Sequence, residues 1–233
     1  MPAMLDDPAR PPIRQWPSSE NIPGPVPKAR CVTLRDGQTK ATILPFTSPD
    51  QIPASLLAFL CDQFNKEIEA GDTYPMVDTM TVTAFGEYWF QTFAAVMLLG
   101  VLDDVGTCND GGGQDANRWS DLCLGSYYVK PNYPGRSSHV CNAGFLVADG
   151  FRGRGVGRLL GESYVDWAPK LGFSYSVFNL VYETNLASIR IWDQLGFKPI
   201  GRVRGCGRLK SYPDKLVDAI IYGRELVDDN ASS

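Results

Sequence analysis

Residues that build metal centres are scarce in this chain. One histidine, His139, is present among 233 residues, so a His-rich site is excluded. The cysteines (Cys31, Cys61, Cys108, Cys123, Cys141 and Cys206) are scattered, with no C-x-x-C pair. Zinc spacings are therefore absent, and free thiols in a reducing compartment are the natural reading. No metal is expected. Long apolar runs are missing as well: the longest, about residues 93–101, falls far short of the roughly 20 residues of a membrane-spanning helix. The N-terminus carries Asp6 and Asp7 where a secretory signal would be apolar. Nor is positive charge in excess, since 22 basic against 26 acidic residues leave −4. That balance opposes a general affinity for nucleic acid or an anionic membrane. These absences lead us to expect a soluble protein of the cytoplasm.

Two phosphate-binding patterns fail too. After Gly153-x-Gly155 the dinucleotide fingerprint requires glycine at 158, where Arg stands, and no Gly-Lys-Ser/Thr ends a Walker loop.

What is present centres on HVCNAGFLVADGFRGRGVG (139–157). An apolar strand enters a glycine-rich turn with Arg152 and Arg154, and the turn opens a helix at Val156. Gly153, Gly155 and Gly157 carry no side chains, so successive backbone N–H groups can face one anion. The helix N-terminus and the arginines add positive charge. This is a pyrophosphate cradle.

Along the chain, residues 1–30 read as a proline-rich arm, 31–227 as one domain and 228–233 as a frayed tail. Strands are predicted over 41–46, 94–102, 122–130, 139–147, 174–183, 198–203 and 217–226. Helices are predicted over 52–68, 82–93, 156–167 and 185–195. Residues 103–121, with Gly111–Gly113, read as a long flexible hairpin loop. This order implies an α+β (mixed α/β) fold, a mostly antiparallel sheet with helices on its faces.

The R-G-R-G-V-G turn resembles the acyl-CoA loop of the GNAT N-acetyltransferases. NLASIRIWDQLGF (185–197) resembles a second block of that family, with Asn185, Ser188 and Gly196-Phe197 in register. A closer likeness, through GDTYPM (71–76), SHVCNAGFLV (138–147) and the asparagines around LVYET, is to the fungal N-acetyltransferases of L-azetidine-2-carboxylate and other proline analogues.

The resemblance implies a twisted sheet whose parallel central strands splay apart to admit acetyl-CoA. It places the pantetheine arm on backbone around Phe145, Leu146 and Val147, and the pyrophosphate on Arg152, Gly153, Arg154, Gly155, Val156, Gly157 and Arg158. Asn185, Ser188 and Trp192 adjoin the cofactor. Asn142 and Asn179 hold a small imino or amino acid, with Asn185 a third catalytic asparagine and Tyr74 and Met76 walling the acceptor pocket. The resembling enzymes also suggest a homodimer. Asn185 doubles as a helix N-cap. Glu183 reads as a solvated charge, and His139 and Cys141 point away from Asn142. Trp192 stands where many family members carry a tyrosine thought to protonate the leaving thiolate, a proton an indole cannot supply. Two alternatives stay open: another acceptor, such as a polyamine or peptide N-terminus, and an acyl-CoA sensor without turnover.

Overall fold

The computed structural model describes residues 27–105 and 116–226. The arm up to residue 26, the centre of the 103–121 segment and the tail from residue 227 lie outside the described residues.

Thirteen α-helices and β-strands are present among the described residues. In chain order they are β1 (Arg30–Thr33), β2 (Lys40–Phe46), α1 (Ala54–Ala70), α2 (Val82–Trp89), β3 (Phe93–Leu99) and α3 (Ala116–Leu122). Then follow β4 (Cys123–Pro131), β5 (Val140–Val147), α4 (Val156–Lys170), β6 (Tyr175–Tyr182), α5 (Leu186–Gln194), β7 (Lys198–Gly207) and β8 (Val217–Glu225). Every strand pairs into one sheet of order β1-β2-β3-β4-β5-β6-β8-β7. All neighbours are antiparallel except β5 and β6. The expected mixed sheet with helices on both faces is the fold found.

Each face carries its own core. Leu56, Leu60, Phe64 and Ile68 of α1 recur at helical spacing and meet Phe85 and Trp89 of α2 on one face. Leu160, Tyr164 and Trp167 of α4 fill the other, with Trp192 of α5. α1 stops where Gly71 takes φ +70°, a left-handed turn that glycine enters without a Cβ clash.

Two segments depart from the sequence expectation. Residues 103–121 are not loop throughout: 116–122 form α3, whose Trp119 is buried and donates from its indole to Ser55 Oγ at 3.0 Å. That helix is held by Trp119 and Leu122 at its C-terminal end rather than by a repeating apolar stripe. The predicted 82–93 helix ends at Trp89, because Phe93 already belongs to β3 and pairs with Val129.

Candidate active site

β5 and β6 pair at only two positions, Val140 with Tyr175 and Cys141 with Ser176. Beyond them the strands separate. On the β8 side the ladder of β6 also slips between Phe178 and Val181. Asn142 is the first residue of β5 past the last paired position, and Asn179 lies within the slipped stretch of β6.

Backbone direction along β5 follows from its ladder. Asn132 N donates to Val140 O and Ala148 N to Leu124 O, so even-numbered residues turn their backbone groups toward β4. Ala143, Phe145 and Val147 therefore turn theirs to the open edge. Tyr74 confirms the parity, since its hydroxyl donates to Phe145 O at 2.8 Å from across the gap.

The opening leads into a cavity of about 960 Å³ lined by both strands, the glycine turn and α5. Trp192 wedges its floor. Its ring centroid lies 4.8 Å from that of Phe145 on β5 and 4.4 Å from that of Phe178 on β6, so the indole packs against both separated strands at once.

At the turn, Gly153 and Gly155 take φ +77° and +86°, which side-chain-bearing residues rarely adopt. A Cβ at Gly153 would meet no protein atom within 4 Å; it would project into space beside the cavity. The first backbone bond of α4 runs from Leu159 N to Gly155 O, and Gly155 supplies no side-chain cap. The N–H groups of Val156, Gly157 and Arg158 thus precede the helical ladder, at its positive end. These features fit a bound pyrophosphate. Gly157 has a different role from its two neighbours: its absent Cβ makes room for Ile191 of α5, whose Cδ1 would lie 3.1 Å away.

Arginines of the motif are already engaged. Arg152 pairs with Glu67 of α1, and Arg158 with Glu162 at 2.9 Å. Arg154 does not line the cavity; its guanidinium lies over the Phe151 ring at 5.3 Å. Asn185 caps α5 as expected, accepting from Ser188 N at 3.1 Å, and both residues line the cavity.

The other half of the cavity is a polar cluster set in aromatics. Asn142 is buried and its Oδ1 accepts from Ala143 N at 2.7 Å. Asn179 and Asn132 form a reciprocal amide pair, with Asn179 Nδ2 to Asn132 Oδ1 at 2.5 Å and the return bond at 3.3 Å. Tyr74, Tyr88 and Tyr128 line the same side, with the hydroxyls of Tyr88 and Tyr128 3.0 Å apart. Burial raises the pKa of all three phenols above the ordinary tyrosine value, so they remain neutral at physiological pH. Lys130, buried and in register with Asn142, holds its ammonium 4.0 Å from the Tyr88 ring centre and 4.6 Å from that of Tyr128. Gly144 permits this wall, because a Cβ there would lie 2.4 Å from the Tyr128 ring.

The turn bearing Tyr74 is tied down from far along the chain. Lys210 N donates to Gly71 O at 3.2 Å, and Ser211 donates from N and Oγ to Asp72 at 3.0 and 2.6 Å.

Asn132, Lys130, Tyr88 and Tyr128 escaped the sequence reading, as did Glu67. None carries a motif, and Asn132 sits in the irregular PNYPGRSS stretch. Met76, expected in the acceptor wall, instead packs beside the α1–α2 core and does not line the cavity. Glu183 pairs with Arg202 at 3.0 Å, and His139 is exposed ahead of β5.

Cys141 faces α4, its Sγ 3.1 Å from Tyr164 Oη, and burial pushes its thiol up to about 12. It is therefore protonated at neutral pH and a poor nucleophile. Iodoacetamide applied to the native protein is expected to leave Cys141 unlabelled while modifying exposed Cys31 and Cys206, as read by peptide mass spectrometry.

Comparison with known proteins gives a consistent picture. A family model described as "Acetyltransferase (GNAT) family" matches residues 116–197. N-acetyltransferase aca1 of Schizosaccharomyces pombe is 42% identical over 167 residues, 72% of this chain and 78% of that protein. Protein SPT10 of Saccharomyces cerevisiae is 36% identical over 225 residues, which cover 83% of this chain but only 35% of SPT10. Among solved structures, a GCN5-related N-acetyltransferase from Kribbella flavida superposes with a TM-score of 0.60 at 26% identity, covering 78% of this chain and 97% of that one. The yncA protein of Salmonella typhimurium, solved with its cofactor acetyl-CoA, gives 0.61 at 15% identity over 81% and 95% of the two chains.

Proposed function

The chain belongs to the acetyltransferase (GNAT) family, an acetyl-CoA-dependent enzyme family, and from that premise we propose that it acetylates the amine of a small imino or amino acid. A proline analogue such as azetidine-2-carboxylate or a hydroxyproline, or a proline-pathway metabolite, is the acceptor that suits the site. The observation that carries this reading is the asparagine cluster at the strand split, Asn142 with the Asn179–Asn132 pair. A carboxamide donates to a carboxylate and accepts from an amine, which matches a small zwitterion carrying both groups.

Acetyl-CoA supplies the acetyl group as a thioester open to attack by an unprotonated amine. The residues of this chain supply position and environment. The N–H groups at the start of α4 hold the pyrophosphate, and the open edge at Ala143, Phe145 and Val147 offers backbone partners for the pantetheine amides. Asn142 and Asn179 orient the acceptor, with Asn132 fixing which way the Asn179 amide faces. Tyr74, Tyr88 and Tyr128 bound the acceptor side and keep it sparing in water, so that positioning accounts for much of the acceleration. Glu183, the nearest carboxylate in sequence to the second strand, is occupied by Arg202; the amine proton passes to solvent, and the coenzyme A thiolate that leaves as the C–S bond breaks takes its proton from solvent.

Following thiol release from acetyl-CoA across a panel of acceptors tests the reading. Cyclic imino acids are expected to release thiol, and spermidine and N-terminal peptides are not. Release only with polyamine or peptide would overturn the acceptor class, and cofactor binding without release by any acceptor would favour a sensor.

A further inference from the structure

The arginines around the cavity mouth fall into two groups. Those of the motif have partners: Arg152 with Glu67 and Asp149, Arg158 with Glu162, and Arg154 with the Phe151 ring. Arg35 and Arg190 lie outside the motif, yet both line the same cavity and both are exposed. Neither side chain makes an ion pair or hydrogen bond with any described residue.

Their neighbouring carboxylates are engaged elsewhere. Asp36 closes its own turn, accepting from Gln38 N at 2.9 Å, Thr39 N at 2.8 Å and Thr39 Oγ1 at 2.5 Å. Asp193, one helical turn from Arg190, accepts from Tyr222 Oη at 3.2 Å. Two guanidiniums are thus left uncompensated beside a glycine turn, in a chain whose net charge is −4.

Glycine contacts fix where these arginines stand. A Cβ on Gly155, the N-cap of α4, would lie 3.5 Å from Arg35 Cβ. On α5, Ile191 abuts Gly157, and Arg190 beside it lines the cavity too. Arg35 and Arg190 therefore flank the start of α4 from the β1–β2 hairpin and from α5. With the N–H groups at the start of α4 assigned to the pyrophosphate on the acetyl-CoA reading, two further cations match a further anion.

We propose that Arg35 and Arg190 form a phosphomonoester subsite that takes the ribose 3′-phosphate of the cofactor and distinguishes it from the 3′-dephospho form. This rests on the acetyl-CoA reading above. A phosphomonoester is close to dianionic at neutral pH, and a guanidinium presents paired donors that suit phosphate oxygens.

Titration calorimetry with coenzyme A and with 3′-dephospho-coenzyme A tests the subsite on the wild-type chain and on Arg35→Ala, Arg190→Ala and the double variant. Wild type is expected to bind coenzyme A about tenfold more tightly at low salt, with the margin shrinking as salt screens exposed charges. Each single variant loses part of that margin, and the double variant binds both ligands with the wild-type affinity for the dephospho form. Melting temperatures establish that the variants are folded. Equal weakening for both ligands would assign the arginines to the pyrophosphate and overturn the subsite, as would an unchanged margin in the double variant. Binding of neither ligand by wild type would overturn the acetyl-CoA reading together with the subsite.

Discussion

Alanine at Asn142 or Asn179 is expected to lower kcat/KM for the acceptor about 100-fold, the order of loss seen when a positioned hydrogen-bonding group is removed from an active site. Affinity for coenzyme A, measured separately, should stay within about twofold, because the phosphates are proposed to rest on the glycine turn and not on the asparagines. His139→Ala serves as the contrast and is expected to leave turnover unchanged, since His139 is exposed ahead of the strand. Truncating Asn142 also deprives Ala143 N of its acceptor. Asn142→Asp keeps that acceptor but removes the amide donor, so equal losses in the two variants would identify the donor as the group that matters. Rates close to wild type in both Asn142→Ala and Asn179→Ala would remove the asparagines from the mechanism.

The second large effect is on stability. Trp192 is 6% exposed and touches the rings of Phe145, Phe178 and Phe197. Trp192→Ala is expected to cost about 3–5 kcal/mol, the usual range for emptying a buried aromatic site. The denaturant midpoint should fall with little change in slope. Cofactor affinity should fall with it, because the indole packs against both strands at the level where they separate. Trp192→Phe keeps an aromatic wedge and is expected to recover most of the stability. A small loss in Trp192→Ala would mean that Phe145 and Phe178 close over the space unaided.

These two residues mark what could and could not be read from sequence. The glycine turn, the strand before it and the second block at 185–197 are local patterns, in which neighbours along the chain supply both the geometry and the chemistry. The N-cap role of Asn185 was legible for the same reason. Asn132 was not, because its meaning depends on β6, across β5 in the sheet, and no periodicity marks it. Lys130, Tyr88 and Tyr128 looked like ordinary strand and helix residues; only the register of β4 with β5 brings Lys130 level with Asn142. β1 is four residues long, too short for an alternation to stand out from the preceding proline-rich stretch, and Arg35 was overlooked with it. α3 escaped because its hold on the body is Trp119 and Leu122, the former docked against α1 more than fifty residues earlier in the chain. Met76 shows the opposite error. Proximity in sequence to Tyr74 suggested a shared wall; both side chains pack against the α1–α2 core, but only Tyr74 also lines the cavity.

The hydrogen bonds from Ser211 to Asp72, like the one beside them from Lys210 to Gly71, span 139 residues of chain. Contacts so distant in sequence close late, since the intervening chain must first be brought into place. On a ribosome, the turn that carries Tyr74 emerges early, but its anchor is among the last segments of the domain to be made. β1 to β7, the glycine turn and all five α-helices precede that anchor in the chain, and β8, which joins β6 to β7, follows it. A nascent chain would therefore hold both strands of the split, β5 and β6, and the glycine turn before the segment that ties down the Tyr74 turn has been made, and β8, which braces β6, would come after both.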